Sequence, residues 1–226
     1  MRDASESCGT VPKNALPAMS FSEPSPANHC DRERKMKKNN LKITFNAPVT
    51  LAFVFLAFIV LLLGIVTGGA STQRLFMTYR ASLLSPLTWL RFVTHVLGHS
   101  GWDHYVGNTA YILLLGPMLE EKYGSDKILK VIILTAVITG LVNFILFPAS
   151  ALCGASGVVF AFILLTSFAN FRQGEIPLTF ILVAVVFIGQ QVANGIFVRD
   201  NISNLSHIIG GLVGAAAGYA LNSNRR

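Results

Sequence analysis

The chain has 226 residues, 52% of them apolar and only 13% charged, about half the charged share of a soluble domain, which excludes an ordinary water-soluble fold. Its net charge of +7 does not point to nucleic acid, because the basic residues flank apolar blocks and form no stripe of their own. The cysteines Cys8, Cys30 and Cys153 are odd in number and lack metal-ligand spacing, so no disulfide framework is implied.

Residues 1–40 are polar and rich in Ser, Pro, Asn and Lys. They cannot bury enough apolar surface to offset the entropy of ordering, and are expected to form a disordered basic tail with no cleavable signal. Its basic run, holding Arg34, Lys35, Lys37 and Lys38, stops just before the first apolar block, as a topology determinant or anionic-lipid contact does. Residues 41–222 read as one all-α membrane domain, with apolar blocks of about 20 residues, the length that crosses a hydrocarbon core. The first span is predicted from Ala47 to Gly68, capped by Asn46, with Pro48 in its first turn. Residues 71–100 mix apolar runs with Arg74, Arg80, Pro86 and Arg91. They suit an interfacial segment with Trp89 and Tyr79 at headgroup depth. The second span is predicted from Asp103 to Tyr123, with Ser100 in a capping box, and ends on Glu120, Glu121 and Lys122. Further spans are predicted from Lys127 to Phe147, Cys153 to Phe171, Pro177 to Val198 and Asn204 to Leu221, six in all.

Basic residues set the orientation. With the tail inside, the inner segments hold Lys122, Lys127, Lys130, Arg172, Arg225 and Arg226, and the outer ones only Arg74, Arg80, Arg91 and Arg199. Both termini are therefore expected in the cytoplasm, in the plasma membrane of a bacterium.

A polar group inside a span costs free energy unless paired, which makes it a functional candidate. His104 and Asn108 start the second predicted span, Ser156 the fourth and His207 the sixth, so all are expected at one depth near the outer surface. In Gly154-Ala155-Ser156-Gly157, small residues suit either close helix packing or approach of a substrate carbonyl to backbone amides. A serine hydroxyl needs a base, and His207 supplies one. It lies on the face of Gly210, Gly214 and Gly218, which would let that helix approach Gly157 and Ala161. His104 and Asn108, four apart on one face, suit an oxyanion. A metal reading, with His95 and His99 nearby, would need a third ligand and an in-span carboxylate base. With Asp103 and Asp200 at the rim, a dyad is expected and not a triad. Gln190, Gln191 and Asn194 are candidates for cavity-lining or gating groups, or for plain helix bonding.

These residues resemble the rhomboid intramembrane proteases over about residues 45–221. Gly154-Ala155-Ser156-Gly157 is similar to the family's GxSG motif, His207 to its last-helix base, and His104-Tyr105-Val106-Gly107-Asn108 to its HxxxN element. The resemblance implies a six-helix fold around a water-filled outer cavity, with Ser156 as nucleophile and His207 as base then acid. It places the oxyanion hole at the Ser156 amide with His104 and Asn108, and gives support roles to Gly154, Gly157, Phe160, His99 and Arg91. Substrates would be single-span membrane proteins entering past the fifth helix, with no cofactor, metal or nucleic acid. Nothing in the sequence bears on oligomeric state. Two positions depart from the family pattern: Phe160 stands where many members have tyrosine, and Trp89-Leu90-Arg91 replaces an adjacent Trp-Arg pair. Competing readings are a catalytically inactive rhomboid-like client binder, which would be expected to lack the serine or histidine, and a small transporter, which would carry polar residues through its whole depth.

Overall fold

The computed structural model describes residues 45–168, 178–197 and 201–223, with backbone alone at 187, 188, 190–197, 201–203 and 223. The tail, Arg172, Arg199, Arg225 and Arg226 and the side chains of Gln190, Gln191 and Asn194 lie outside the described residues. Among the described residues the architecture is all-α: α1 Pro48–Val66, α2 Ala70–Leu75, α3 Pro86–Thr94, a 3-10 turn His95–Leu97, α4 Trp102–Tyr123, α5 Ser125–Leu146, α6 Ser156–Ser167, α7 Leu178–Phe197 and α8 Asn201–Ser223.

Helix α1 starts at Pro48, whose ring presets the helical φ where no amide is needed. The expected cap Asn46 is not used; Ala47 holds that position without a side-chain bond. Glu120 of α4 does the capping instead. It is 4% exposed, and its Oε1 accepts from the Val49 amide at 2.9 Å while Oε2 accepts from the Thr50 amide at 2.9 Å and the Thr50 hydroxyl at 2.8 Å. Ser125 donates to Oε1 at 2.7 Å. One carboxylate thus satisfies the open end of α1, complements its dipole and fastens α1 to the α4–α5 junction.

The capping box at Ser100 is also corrected. Gly101 occupies the cap of α4 without a side-chain bond, and the Ser100 hydroxyl lies 3.1 Å from His104 Nδ1. The helix begins one residue later than a Ser100 cap requires, and the Ser100 hydroxyl is turned to the imidazole.

By length and composition alone, α1 and α5 suffice to cross a bilayer among the described residues. Helix α4 is 22 residues long, but its polar opening from Asp103 to Asn108 lowers its hydropathy. Helix α6 covers only Ser156–Ser167 of the expected Cys153–Phe171. Much of the exterior is apolar: Phe55, Ile65, Val66, Leu114, Met118 and Ile145 are all more than half exposed, a surface that water would not tolerate on this scale.

Residues 70–100 fold into two short helices and the 3-10 turn, held by main-chain oxygens. Arg91 Nε donates to Arg74 O at 2.8 Å, and its guanidinium lies over the Tyr79 ring at 4.4 Å. Arg80 donates to Phe144 O at 3.3 Å, which ties the segment to α5. Trp89 is 57% exposed.

Helices α4, α6 and α8 run parallel. The starts of α4 and α6 meet where His104 touches Gly154, and those of α6 and α8 where Gly157 lies close to the Ser206 carbonyl. Their ends meet at Asn222, whose Nδ2 reaches Tyr123 Oη at 2.9 Å and Phe168 O at 3.1 Å. The core between them includes Ile112, Leu119, Val158, Phe162 and Leu165.

Candidate active site

Ser156 is the first residue of α6, closer to the helix start than its predicted place one turn in. Ladder bonding is seen from the Val159 amide to Ala155 O at 3.0 Å, so the first-turn amides ahead of it sit at the positive end of the helix dipole. The approach to Ser156 is pinned on both sides. Thr78 and Leu152 exchange two backbone bonds of 2.9 Å, and the Gly154 amide donates to His95 O at 2.9 Å.

Gly154 has φ +129°, a region that side chains avoid. A Cβ built there would fall 2.7 Å from His104 Nε2 and Cε1 and 3.9 Å from Asn108 Nδ2. Both side chains of α4 therefore converge on the turn that carries the nucleophile candidate. The Ser100 amide donates to His104 Nδ1 at 3.5 Å, which makes Nδ1 the acceptor and leaves the proton on Nε2. Asn108 is 8% exposed, and its Nδ2 is buried without a hydrogen-bond partner. Two N–H donors thus face the start of α6.

His207, on α8, stacks flat on Phe160 with ring centroids 4.4 Å apart and planes 3° apart. Phe160 follows Ser156 by four residues, one turn along the same face of α6, so the stack sets the imidazole beside the serine's helix. The two helices approach without side chains between them. A Cβ on Gly210 would meet Gly157 O at 2.1 Å, and one on Gly214 would meet Ala161 O at 2.1 Å. Gly157 itself lies close to Thr139 and to the Ser206 carbonyl.

Among the expected support residues, His99 packs its ring edge on His104, centroids 5.1 Å apart, and on Tyr105 at 5.5 Å. Arg91 is one step further out and acts on the 70–100 segment through Arg74 O. Composition and spacing missed the role of His95. Its carbonyl holds Gly154, its Nδ1 donates to Arg91 O at 3.1 Å, and its Nε2 lies 3.3 Å from the Thr139 hydroxyl. Burial lowers its pKa from 6.5 to about 4. His99 is lowered to about 4 as well, by burial and then by the neighbouring His104.

In chemical terms, the site sets a hydroxyl at a helix start, an imidazole stacked beside that helix, and two N–H donors against the preceding turn. That is the equipment of acyl transfer.

The family model described as "Rhomboid domain" matches residues 86–224. The chain is 25% identical to the rhomboid protease GluP of Bacillus subtilis over 194 residues, which cover 82% of this chain and 38% of that protein. It is 31% identical to rhomboid-related protein 2 of Mus musculus over 174 residues, 67% of this chain and 57% of the relative. The rhomboid protease GlpG of Haemophilus influenzae is 29% identical over 133 residues, 57% and 68% of the two chains. The match therefore spans well under two thirds of GluP and of the mouse relative.

Proposed function

The chain belongs to the rhomboid family, and from that premise we propose that it is an intramembrane serine endopeptidase. It hydrolyses peptide bonds in or near the membrane-spanning segments of other membrane proteins, with Ser156 as nucleophile and His207 as base. The observation that carries this reading is the flat stack of His207 on Phe160, one helical turn from Ser156, where α6 and α8 touch backbone to backbone.

The Ser156 Oγ proton passes to His207 as Oγ attacks the scissile carbonyl carbon. Charge that develops on the carbonyl oxygen is met by the Ser156 amide, His104 Nε2–H and Asn108 Nδ2–H, donors fixed before the substrate arrives. His207 then gives its proton to the leaving amine, and an acyl ester remains on Ser156. Water attacks that ester with His207 again as base, releasing the new carboxyl end and restoring the hydroxyl. Phe160 restricts the imidazole by its ring face, though it offers no hydroxyl to orient it. No metal or cofactor enters these steps.

The reading extends to the domain plan: residues 41–222 as a six-span protease domain, preceded by a basic cytoplasmic tail over 1–40, in a bacterial plasma membrane with the site near the outer face. The basic-residue bias and the shared end of α4, α6 and α8 support it. A reporter fused after Arg226 is expected to read as cytoplasmic; an external signal would reverse the orientation.

The direct test is labelling by a fluorophosphonate probe together with cleavage of a single-span substrate in detergent. Ser156→Ala is expected to lose both, and His207→Ala to be comparably inactive, because nucleophile and base act as a unit. Equal labelling and cleavage by folded Ser156→Ala would end the serine mechanism.

A further inference from the structure

Behind the turn that carries Ser156 lie two buried side chains that take no part in the proposed reaction steps. His95 is 1% exposed and Thr139, on α5, 2%. The imidazole bridges α3 and α5: its Nδ1 lies 3.1 Å from Arg91 O and its Nε2 3.3 Å from the Thr139 hydroxyl. A carbonyl only accepts, so Nδ1 carries the proton and Nε2 is an acceptor whose donor is Thr139. The same hydroxyl lies 2.7 Å from Thr135 O and 3.2 Å from Ala136 O. A threonine in a helix is already satisfied by such carbonyls of its own turn, so its contact with Nε2 serves the ring and not α5. The ring also has no room to shift toward α5, since a Cβ on Gly140 would fall 3.3 Å from His95 Cε1 and 3.2 Å from the Phe92 backbone.

Both members of the pair reach the turn. The His95 carbonyl accepts from the Gly154 amide at 2.9 Å, and Thr139 Cγ2 would lie 3.3 Å from a Cβ on Gly157. The backbone before Ser156 and the backbone after it are thus referred to one buried contact. Gly154 is also the residue on which His104 and Asn108 converge. A main-chain carbonyl points wherever its own residue is held, so the two ring bonds of His95 decide where the Gly154 amide sits.

We propose that His95 and Thr139 are a pair of positioning residues, whose side-chain contact fixes the Gly154 turn against the two donors of α4 and so aligns the oxyanion site with Ser156. The effect on catalysis rests on the protease reading, whereas the mechanical link between ring and turn does not.

The test is amide hydrogen exchange of the full chain in detergent, read in peptides covering 150–157, together with cleavage kinetics of a single-span substrate. Thr139→Val keeps the methyl group beside Gly157 and removes the donor to Nε2; His95→Leu removes both ring bonds. In each, the Gly154 amide is expected to exchange at least about five-fold faster, the worth of about one hydrogen bond, while exchange in α8 is unchanged. The value of kcat is expected to fall at least about ten-fold with KM within about two-fold, as for a reacting group held slightly out of place. Thr139→Ser, which returns the hydroxyl, and His95→Gln, whose carboxamide can meet it, are expected to recover most of both. In an Asn108→Ala background Thr139→Val is expected to cost less than in the native chain, because the arrangement it acts through is already broken. Unchanged exchange at 150–157 in folded Thr139→Val would overturn the proposal, and so would strictly additive losses of kcat in the double variant. Exchange needs no cleavage, so its failure and that of the protease reading are told apart.

Discussion

Asn108 offers the sharpest separation of stability from chemistry. Its Nδ2 is buried and makes no hydrogen bond, so truncation removes no bond from the folded state and takes away an orphaned donor. Asn108→Ala is expected to melt at an unchanged or higher temperature in detergent while cleavage falls about 10²–10³-fold, the usual cost of one oxyanion donor. A parallel loss of both would make the residue structural. His104, Asn108, Ser156 and His207 stood out in the sequence because polar groups are expensive in apolar blocks. The structure brings the first two to Gly154 and the last to Phe160. Gly154 was legible only as a small residue, since the sign of its φ leaves no trace in spacing. The roles of His95, weighed in the sequence only as a metal ligand, and of Thr78 left no signal, because both hold the approach to Ser156 through main-chain atoms, which every residue possesses.

At the scale of elements, the contact of α6 with α8 depends on hydrogen in place of methyl. Gly210→Ala would drive a Cβ to 2.1 Å from the Gly157 carbonyl, and backbone cannot swing aside as a side chain can. A loss of about 1–3 kcal/mol, the range for overpacking, is expected, with cleavage lost as His207 moves off Phe160. Gly211→Ala is the control: its Cβ would sit 3.6 Å from Leu164, in ordinary contact. Equal melting of the two variants would show that the helices are not held by this close approach. The glycine spacing made this packing readable in advance. Helix limits agreed to within a few residues for α1, α4, α5, α7 and α8, because apolar length dictates them. Caps did not. Asn46 and Ser100 are chemically suited to the task, but Glu120 reaches α1 from another helix, a long-range contact invisible to a local pattern, while α4 takes Gly101 as its cap and Ser100 turns to His104 four residues on.

For the molecule as a whole, His95 and His99 predict how stability follows pH. Burial holds both near 4, below the ordinary 6.5. Below 6.5 the unfolded chain takes up protons that the folded one refuses, so unfolding gains free energy. Their contribution is complete above pH 6.5 and is lost as pH falls toward 4, by up to roughly 1.4 kcal/mol per pH unit for each ring. Thermal midpoints in detergent are expected to drop across that window, and a flat profile would mean that both rings are already hydrated in the folded state. The membrane character was plain from composition. The end-to-end agreement of α4, α6 and α8 was foreseen from where their polar residues sit; the tie at Asn222 was not, since one asparagine near a chain terminus has no pattern to stand out from.

The tightness between α6 and α8 also limits traffic. An α-helix with its side chains is about 10 Å across, and it cannot push between backbones that exclude a single methyl group. On the proposed protease reading, a polypeptide bound for Ser156 cannot pass between α6 and α8, so that side serves as a fixed wall and any doorway has to be sought elsewhere.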